Sequence, residues 1–213
     1  MRMPPVEPDH LVVAALTLEQ GCEWVEEKLG VRPQPGGRHV AMGTHNALVG
    51  LGKRFFLEVI SVDPEGVAPP RPRWFDLDLP RMKAALSEGP QLIHWVARTT
   101  DIDAWAARLP EHGAVTPMTR GDMHWRITIP ADGHLPGRGL VPTLIQWSDA
   151  RHPADRLPDS GLRLAAIAGE HPAPELIRAE IATLGLSDVL KVTYAKSPRL
   201  AMMLRSPRGT AVL

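Results

Sequence analysis

The chain has 213 residues, of which 44% are apolar and 23% are charged, and its formal net charge is zero. This composition excludes a disordered chain, and the neutral balance gives no electrostatic basis for binding nucleic acid or an acidic membrane surface. The single cysteine excludes an internal disulfide, and no apolar stretch reaches the ~18 residues that span a bilayer. We therefore expect a cytoplasmic protein that binds neither nucleic acid nor membrane.

The first seventy residues predict one β-strand, one helix and further strands. The opening strand is expected over His10–Ala15, and the helix over Leu18–Leu29 ends at Gly30, a residue suited to a helix C-cap. Strands follow near Val40–Leu51 and Phe55–Val62. A proline-rich run from Pro64 then excludes both a helix interior and a central strand.

The same order of elements recurs twice further along the chain. A connector helix over Pro80–Leu86 precedes a second copy that starts with the strand Leu92–Arg98 and ends near Trp147. A third copy starts with the strand Leu162–Ala168 and continues through the helix Pro174–Leu184. We therefore predict a first βαβββ module over 1–72, a connector over 73–90, a second module over 91–150 and a third, truncated module over 160–213.

Side-chain alternation places polar residues alike in the first two copies. Successive strand residues point to opposite faces, so His10 and His94 stand on one face of the two opening strands. Glu58 and Gln146 stand likewise on the two closing strands, with Ile145 and Trp147 expected to face the helix. Imidazole together with carboxylate or amide oxygen is a ligand set suited to Zn, Ni, Fe, Mn or Co. The four residues predict a divalent metal site, and the bound ion would polarise a carbonyl or lower the pKa of a bound water.

Several stretches carry a resemblance to a known superfamily. They are DHLVVAA (9–15), GRHVAMGTHNALVGLG (37–52), FFLEVISVDP (55–64), IHWVART (93–99), MHWRITIP (123–130) and LIQWSD (144–149). Together they resemble the glyoxalase-like branch of the vicinal oxygen chelate superfamily, which also contains bleomycin-resistance proteins and extradiol dioxygenases.

The resemblance implies an α+β fold in which paired βαβββ modules form half-barrel mixed sheets around a small-molecule site. It implies His10, Glu58, His94 and Gln146 as the metal ligands, although relatives that bind metal most often have Glu at the fourth position. It also implies a metal-dependent lyase or isomerase that stabilises an enediolate or oxyanion. Two alternatives stay open: a metal-free binding or sequestering protein of the bleomycin-resistance type, and an extradiol dioxygenase that uses two histidines and one glutamate.

Four further residues are candidates for contact with the substrate or for catalysis. His124 and Arg126 alternate with apolar residues on one strand and are expected to face the cup, where Arg126 and Arg98 could hold a carboxylate or phosphate. His45 occupies a similar place in the first copy and is predicted, with Glu58, to move a proton. The unpaired third module leaves strand edges that a second chain could cover, which predicts a homodimer.

Overall fold

The computed structural model describes residues 3–206 and 209–213, which contain two β-sheets and four α-helices. The elements of the first half of the chain are β1 (Val6–Ala14), α1 (Leu18–Leu29), β2 (Gln34–His39), β3 (Thr44–Gly50), β4 (Phe56–Val62) and α2 (Pro80–Ser87). The second module comprises β5 (Gln91–Thr99), α3 (Ile102–Arg108), β6 (Ala114–Arg120), β7 (Met123–Ile129) and β8 (Thr143–Trp147). The remaining elements are β9 (Arg163–His171), α4 (Pro174–Thr183), β10 (Leu190–Tyr194), β11 (Arg199–Ser206) and β12 (Gly209–Val212).

The first two modules share one eight-stranded sheet. Its strand order is β2-β3-β4-β1-β5-β8-β7-β6, with β1 parallel to β4, β5 parallel to β8, and β1 antiparallel to β5 at the centre. The sheet curls until its two edges approach each other. The aliphatic part of Arg120 on β6 packs against Gly37 on β2 at this approach. A β-carbon on Gly37 would lie 3.0 Å from the Cγ of Arg120, so the absence of a side chain there permits this approach. The predicted α+β fold with paired half-barrel modules is confirmed.

Local sequence explains why α1 lies where it does. The Thr17 side chain accepts a hydrogen bond from the Gln20 backbone N–H, and Gly30 adopts a left-handed conformation whose N–H bonds to Glu26. Gly21 lets the helix approach β4 closely, since a β-carbon there would lie 2.4 Å from Val59. These contacts hold α1 on the convex face of the sheet.

The third module has the predicted order of elements but a different pairing. Its sheet order is β10-β9-β11-β12, and β10 pairs directly with β9 in parallel. In the first module the strand parallel to the opening strand is instead the last one, β4. The four-stranded sheet of the third module contributes to the same core as the convex face of the large sheet. No helix among the described residues is long and apolar enough to cross a membrane.

The two faces of the large sheet form two separate cores. Leu11, Leu57 and Trp95 belong to the convex core, which α1, α3, α4 and the third module cover. Val12 and Ile60 belong to the concave core, which the curled sheet encloses together with α2 and the segment before it. The face on which a strand residue stands therefore decides which of the two cores its side chain enters.

Candidate functional site

The concave face contains a small cavity, which we call the cup. Its volume is about 20 Å³, which is room for one or two water molecules. Polar and aromatic side chains and two isoleucines form its wall: His10, His39, Phe56, Glu58, Trp74, Phe75, Arg120, Trp125, Ile127, Ile145 and Trp147. All four polar residues in this wall are charged or can become charged.

A buried carboxylate orients His10 at one side of the cup. His10 Nδ1 lies 2.7 Å from Asp9 Oδ1, and the other oxygen of Asp9 accepts from Trp147 Nε1 at 3.0 Å and His152 Nε2 at 3.1 Å. Asp9 is fully buried, and burial alone would raise its pKa; the hydrogen bonds from the two histidines outweigh that effect and hold the pKa well below its usual range. An ionised carboxylate only accepts, so His10 Nδ1 carries a proton, and Nε2 is the nitrogen that faces Glu58.

Glu58 faces His10 across the cup. Its Oε2 lies 3.8 Å from His10 Nε2, and its Oε1 accepts a hydrogen bond of 2.5 Å from the Asn46 amide. The His10 ring stacks on Phe56, with centroids 4.6 Å apart, which fixes the ring plane. A substrate atom that lies in the cup beside His10 and Glu58 would be within reach of two proton-transfer groups.

His39 supports Glu58 from behind. Its Nδ1 lies 3.1 Å from Thr44 Oγ1, and its Nε2 lies 3.4 Å from the Asn46 amide nitrogen that bonds to Glu58. Burial, reinforced by the charge of Arg120, lowers the pKa of His39 well below 6.5. Both nitrogens of a neutral His39 are therefore committed to the chain Thr44–His39–Asn46–Glu58.

Arg120 brings a positive charge to the cup. Among the described residues it makes no hydrogen bond and no ion pair within 4.0 Å, although its charge interacts favourably with Glu58. Desolvation lowers the pKa of this guanidinium, but an arginine stays protonated in proteins. A half-buried guanidinium with free donors is a ready binding group for a carboxylate or phosphate.

Trp74 and Phe75 cover the cup. They follow the proline-rich run, and Asp76 N–H fastens their segment to Gly133 O at 3.0 Å. Phe75 and Asp76 have φ of 62° and 59°, a left-handed conformation that costs a non-glycine residue about 1–3 kcal/mol. The buried Trp74 Nε1–H has no hydrogen-bond partner among the described residues. A ligand larger than one or two waters requires these two rings to move.

His94, which the sequence predicts as a metal ligand, forms hydrogen bonds with backbone groups instead. Its Nδ1 lies 3.1 Å from Gly139 O, while its Nε2 accepts from Thr143 N–H at 3.2 Å and lies 2.9 Å from Thr143 Oγ1. Burial lowers its pKa to about 3, so the ring is neutral and both of its nitrogens are used. His94 therefore fixes the loop before β8 and offers no free lone pair.

The predicted orientation of Gln146 is wrong. Its Oε1 accepts from the Ile102 backbone N–H at the start of α3 and from Arg126, each at 2.9 Å, on the convex face. Ile145 and Trp147 line the cup in its place. Alternation correctly places Gln146 and Leu144 on one face of β8 and Ile145 and Trp147 on the other. Because both faces carry apolar residues, alternation does not identify which face is concave.

The expected substrate-contacting residues on β7 and β5 also stand elsewhere. Arg126 bonds to Asp103 at 2.7 Å on the convex face, and His124 is exposed on the same side of β7. Their apolar neighbours, including Trp125, line the cup, because the enclosed concave face buries more completely than the convex face under the short helix α3. Arg98 bonds to Glu7 and to the Pro8 and Arg54 carbonyls at the rim, in a groove that it shares with Gln146.

His45 faces away from the cup as well. It lines a groove beside α1 together with Cys22 and Ala47, and its buried Nε2 has no hydrogen-bond partner among the described residues. The next residue, Asn46, points into the cup and bonds to Glu58. The proposed role of His45 in proton transfer therefore has no geometric support.

The donor set of the cup does not fit the metal centre expected from the sequence. Of the predicted ligands only His10 Nε2 and the Glu58 carboxylate face each other, whereas a catalytic zinc site needs three protein ligands. His39 could add a nitrogen, but its ring is bonded to Thr44 and the Asn46 amide stands between it and Glu58. These contacts organise a proton-transfer site rather than a chelate.

Five polar residues of the site were missed from the sequence, namely Asp9, His39, Asn46, Arg120 and His152. Asp9 precedes His10 directly, and Asn46 shares a strand face with Leu48, the partner of Glu58 across the sheet, so both were within reach of the alternation argument. Arg120 and His152 lie far from these residues along the chain, at a strand end and in a linker. No local pattern marks them, because only the curling of the sheet brings them to the cup.

Comparisons with known proteins agree with this architecture. The sequence profile of a family described as a glyoxalase-like domain matches residues 9–185. No curated protein sequence matches at a significant level. A solved structure of a hypothetical protein from Staphylococcus aureus has a TM-score of 0.64 at 13% identity, over 91% of this chain and 88% of that chain.

Two structures of methylmalonyl-CoA epimerase show weaker likeness. The enzyme from Mycobacterium tuberculosis has a TM-score of 0.45 at 19% identity, over 71% of this chain and 93% of that chain. A complex with methylmalonyl-CoA and NH4+ has a TM-score of 0.46 at 20% identity, over 71% and 100%. At these identities the likeness concerns the fold alone.

Proposed function

Because the chain belongs to the glyoxalase-like domain family of the vicinal oxygen chelate superfamily, we propose that it isomerises or epimerises a small anionic carbonyl compound by proton transfer in the cup. The observation that carries the proposal is the pairing of His10 and Glu58 at 3.8 Å, each held by its own buried partner. The two side chains do not hydrogen-bond to each other and both line the cup, so both can reach a substrate C–H bound there. Membership of the family supports the architecture, and the contacts of His10 and Glu58 support the proposed reaction.

The proposed reaction removes and returns one proton. One of the two groups, His10 Nε2 or the Glu58 carboxylate, takes the proton from a carbon next to a carbonyl, and the electron pair moves to the carbonyl oxygen as an enolate. The other group starts the cycle protonated and delivers its proton to the same carbon. The proton taken up first then passes back to that group, so the substrate is epimerised without net oxidation. Asp9 stabilises the imidazolium that forms when His10 accepts the proton.

Arg120 is proposed to hold the substrate anion. It is the cation of the cup wall that has no ion-pair partner within 4.0 Å among the described residues. A carboxylate bound there would stand near Glu58 and would leave the rest of a small substrate against the aromatic wall. Developing negative charge on the enolate oxygen would be stabilised by the same guanidinium.

The test is proton exchange into the substrate. Wild-type protein is incubated in D2O with a panel of small 2-oxo and 3-oxo carboxylates, and deuterium incorporation is followed by proton NMR. We expect exchange with at least one compound, and loss of at least about 100-fold in Glu58→Gln, the range typical of a general acid or base. The matched control Glu23→Gln changes an exposed carboxylate on α1 and should exchange at the wild-type rate. Exchange that persists in both Glu58→Gln and His10→Ala would contradict the assignment.

A second candidate is a binding protein without turnover, and the aromatic wall of the cup favours it. Saturable binding of a small aromatic acid, weakened by Arg120→Gln and accompanied by no exchange, would support this function over catalysis. Metal-dependent turnover and dioxygenase activity also remain predictions from the resemblance. Metal analysis of tag-free wild-type protein beside the His10→Ala/His94→Ala double variant tests them.

The homodimer and the cytoplasmic location also stay predictions. Light scattering at micromolar concentration should give about twice the chain mass of 23.3 kDa. A mass near the single-chain value would contradict the dimer and would leave the proposed chemistry intact, since every residue of the cup comes from one chain.

A further inference from the structure

A second cluster of ligand-type side chains lies where the second module meets the third. Glu111 and His112 belong to a 3-10 turn, Pro110–His112, between α3 and β6, and Glu180 belongs to α4. One ligand atom from each of the three side chains lies within 4.8 Å of the other two. No other group of three histidine, cysteine or acidic residues meets this criterion among the described residues.

His112 gives this cluster a property that a group of surface acids lacks. The residue is 1% exposed, and neither of its ring nitrogens has a hydrogen-bond partner among the described residues. Its Nε2 lies 3.5 Å from Glu180 Oε2, at a geometry that makes no hydrogen bond. Buried polar atoms are almost always paired, because they have lost water. His112 therefore presents an unpaired nitrogen, towards Glu180, in a position that suits a bound cation.

The backbone on both sides of the cluster is fixed. Gly113 has φ of 92°, and a β-carbon there would lie 2.2 Å from the backbone of Ile129 and Pro130, so only glycine permits this close approach. On the other side, Ile177 and Ile181 bury one face of α4 and set the position of Glu180. The three ligand atoms are thus brought together by tertiary packing.

We propose that Glu111, His112 and Glu180 bind one divalent transition-metal ion that ties the third module to the second. One imidazole nitrogen and two carboxylates form a mixed N/O set suited to Zn²⁺, Mn²⁺ or Co²⁺, and two negative charges balance the ion. Glu111 is exposed, so water completes the coordination from the solvent side. The site is separate from the cup and has a structural role, independent of the proposed reaction.

Calorimetric titration of chelator-treated, full-length protein with Zn²⁺ tests the proposal. We expect one ion per chain at this site, and Glu180→Gln should weaken its binding at least about 10-fold, as loss of a charged ligand does. The matched control Glu175→Gln removes an exposed carboxylate from the same helix and should bind like wild type. Saturating Zn²⁺ at about 100 times Kd should raise the melting temperature of the wild type by about 5–10 °C, and that of Glu180→Gln by much less.

A Glu58→Gln variant separates this site from the cup. Zn²⁺ binding that survives in Glu58→Gln and is lost in both Glu180→Gln and Glu111→Gln supports the proposal. Two results overturn it: no uptake by wild type at millimolar Zn²⁺, or uptake that Glu58→Gln abolishes while Glu180→Gln retains it. Because the readout compares the melting shift of each variant with and without metal, a change in the stability of the metal-free variant does not obscure the result.

Discussion

The first two modules share an architecture but use equivalent positions for different purposes. In the first module His10 and Glu58 point into the cup, and each is held there by a buried partner, Asp9 or Asn46. In the second module His94 and Gln146 occupy the corresponding strands, but their side chains form hydrogen bonds with backbone groups. One half of the barrel thus carries the His10–Glu58 pair, while the other half supplies scaffold, aromatic wall and the guanidinium of Arg120. Repetition of a residue type in a repeated module does not imply repetition of its role.

The largest effect that can test this division is on stability. His94→Ala should lower the free energy of unfolding by about 3–5 kcal/mol, because it leaves the Gly139 carbonyl and Thr143 N–H unpaired and opens a cavity. His10→Ala should cost less, about 2–3 kcal/mol, because Asp9 Oδ1 loses its donor while His152 and Trp147 still bond to Oδ2. Urea denaturation of both variants measures the difference. His94→Asn, whose amide can still donate towards Gly139, should recover part of the loss, and equal losses in the two alanine variants would refute the division.

The next effect is the dependence of stability on pH. The pKa of His94 is lowered from 6.5, the ordinary value that applies to the unfolded chain, to about 3 in the folded protein. Between pH 3 and pH 6.5 the unfolded chain therefore binds one more proton than the folded protein. Stability from this group is fully present above pH 6.5 and is lost as the pH falls, by about 1.4 kcal/mol per pH unit. His39 acts in the same direction, and Asp9 adds a further loss below its ordinary pKa of 3.8.

Denaturation curves at pH 7, 6 and 5 measure this slope. We expect His94→Asn to reduce the slope of the free energy of unfolding against pH by the contribution of one histidine. The His124→Asn variant, which changes an exposed histidine, should leave this slope unchanged. An identical slope in wild type and His94→Asn would show that the ring is already protonated in the folded state.

The contrast between the modules also marks how far the sequence predicts the molecule. The helix over 18–29 and the faces on which His10 and Glu58 stand follow from periodicity and caps, which are local properties. The orientation of Gln146 was not predictable, because both faces of β8 are buried and only tertiary packing distinguishes them. Arg120 was missed for a related reason, since its place in the cup depends on the two sheet edges meeting.

Trp147 is one point at which the second module reaches the polar site of the first. Trp147→Phe keeps the aromatic wall and removes the hydrogen bond to Asp9, which should cost about 1–2 kcal/mol because the acceptor is charged. Trp24→Phe, a change of a half-buried indole on α1, is the control for loss of ring area. Urea denaturation measures both variants, and an unchanged free energy of unfolding in Trp147→Phe would show that Asp9 is satisfied by the two histidines alone.

The smallest effect separates the two roles considered for Gln146. As a helix-capping group, it should accept the substitution Gln146→Glu with a gain of about 0.3–1 kcal/mol, because a carboxylate near the N-terminus of α3 and beside Arg126 is favourable. As a metal ligand in the cup, the new carboxylate would instead raise the affinity for a divalent ion. We expect the small gain in the free energy of unfolding and no change in Zn²⁺ affinity. Gln146→Leu, which keeps the volume and removes the acceptor, should lose about 1 kcal/mol. If Gln146→Glu strengthened metal binding and His10→Ala abolished the gain, the side chain would have to turn through the sheet to the concave face, and the division between the two modules would fail.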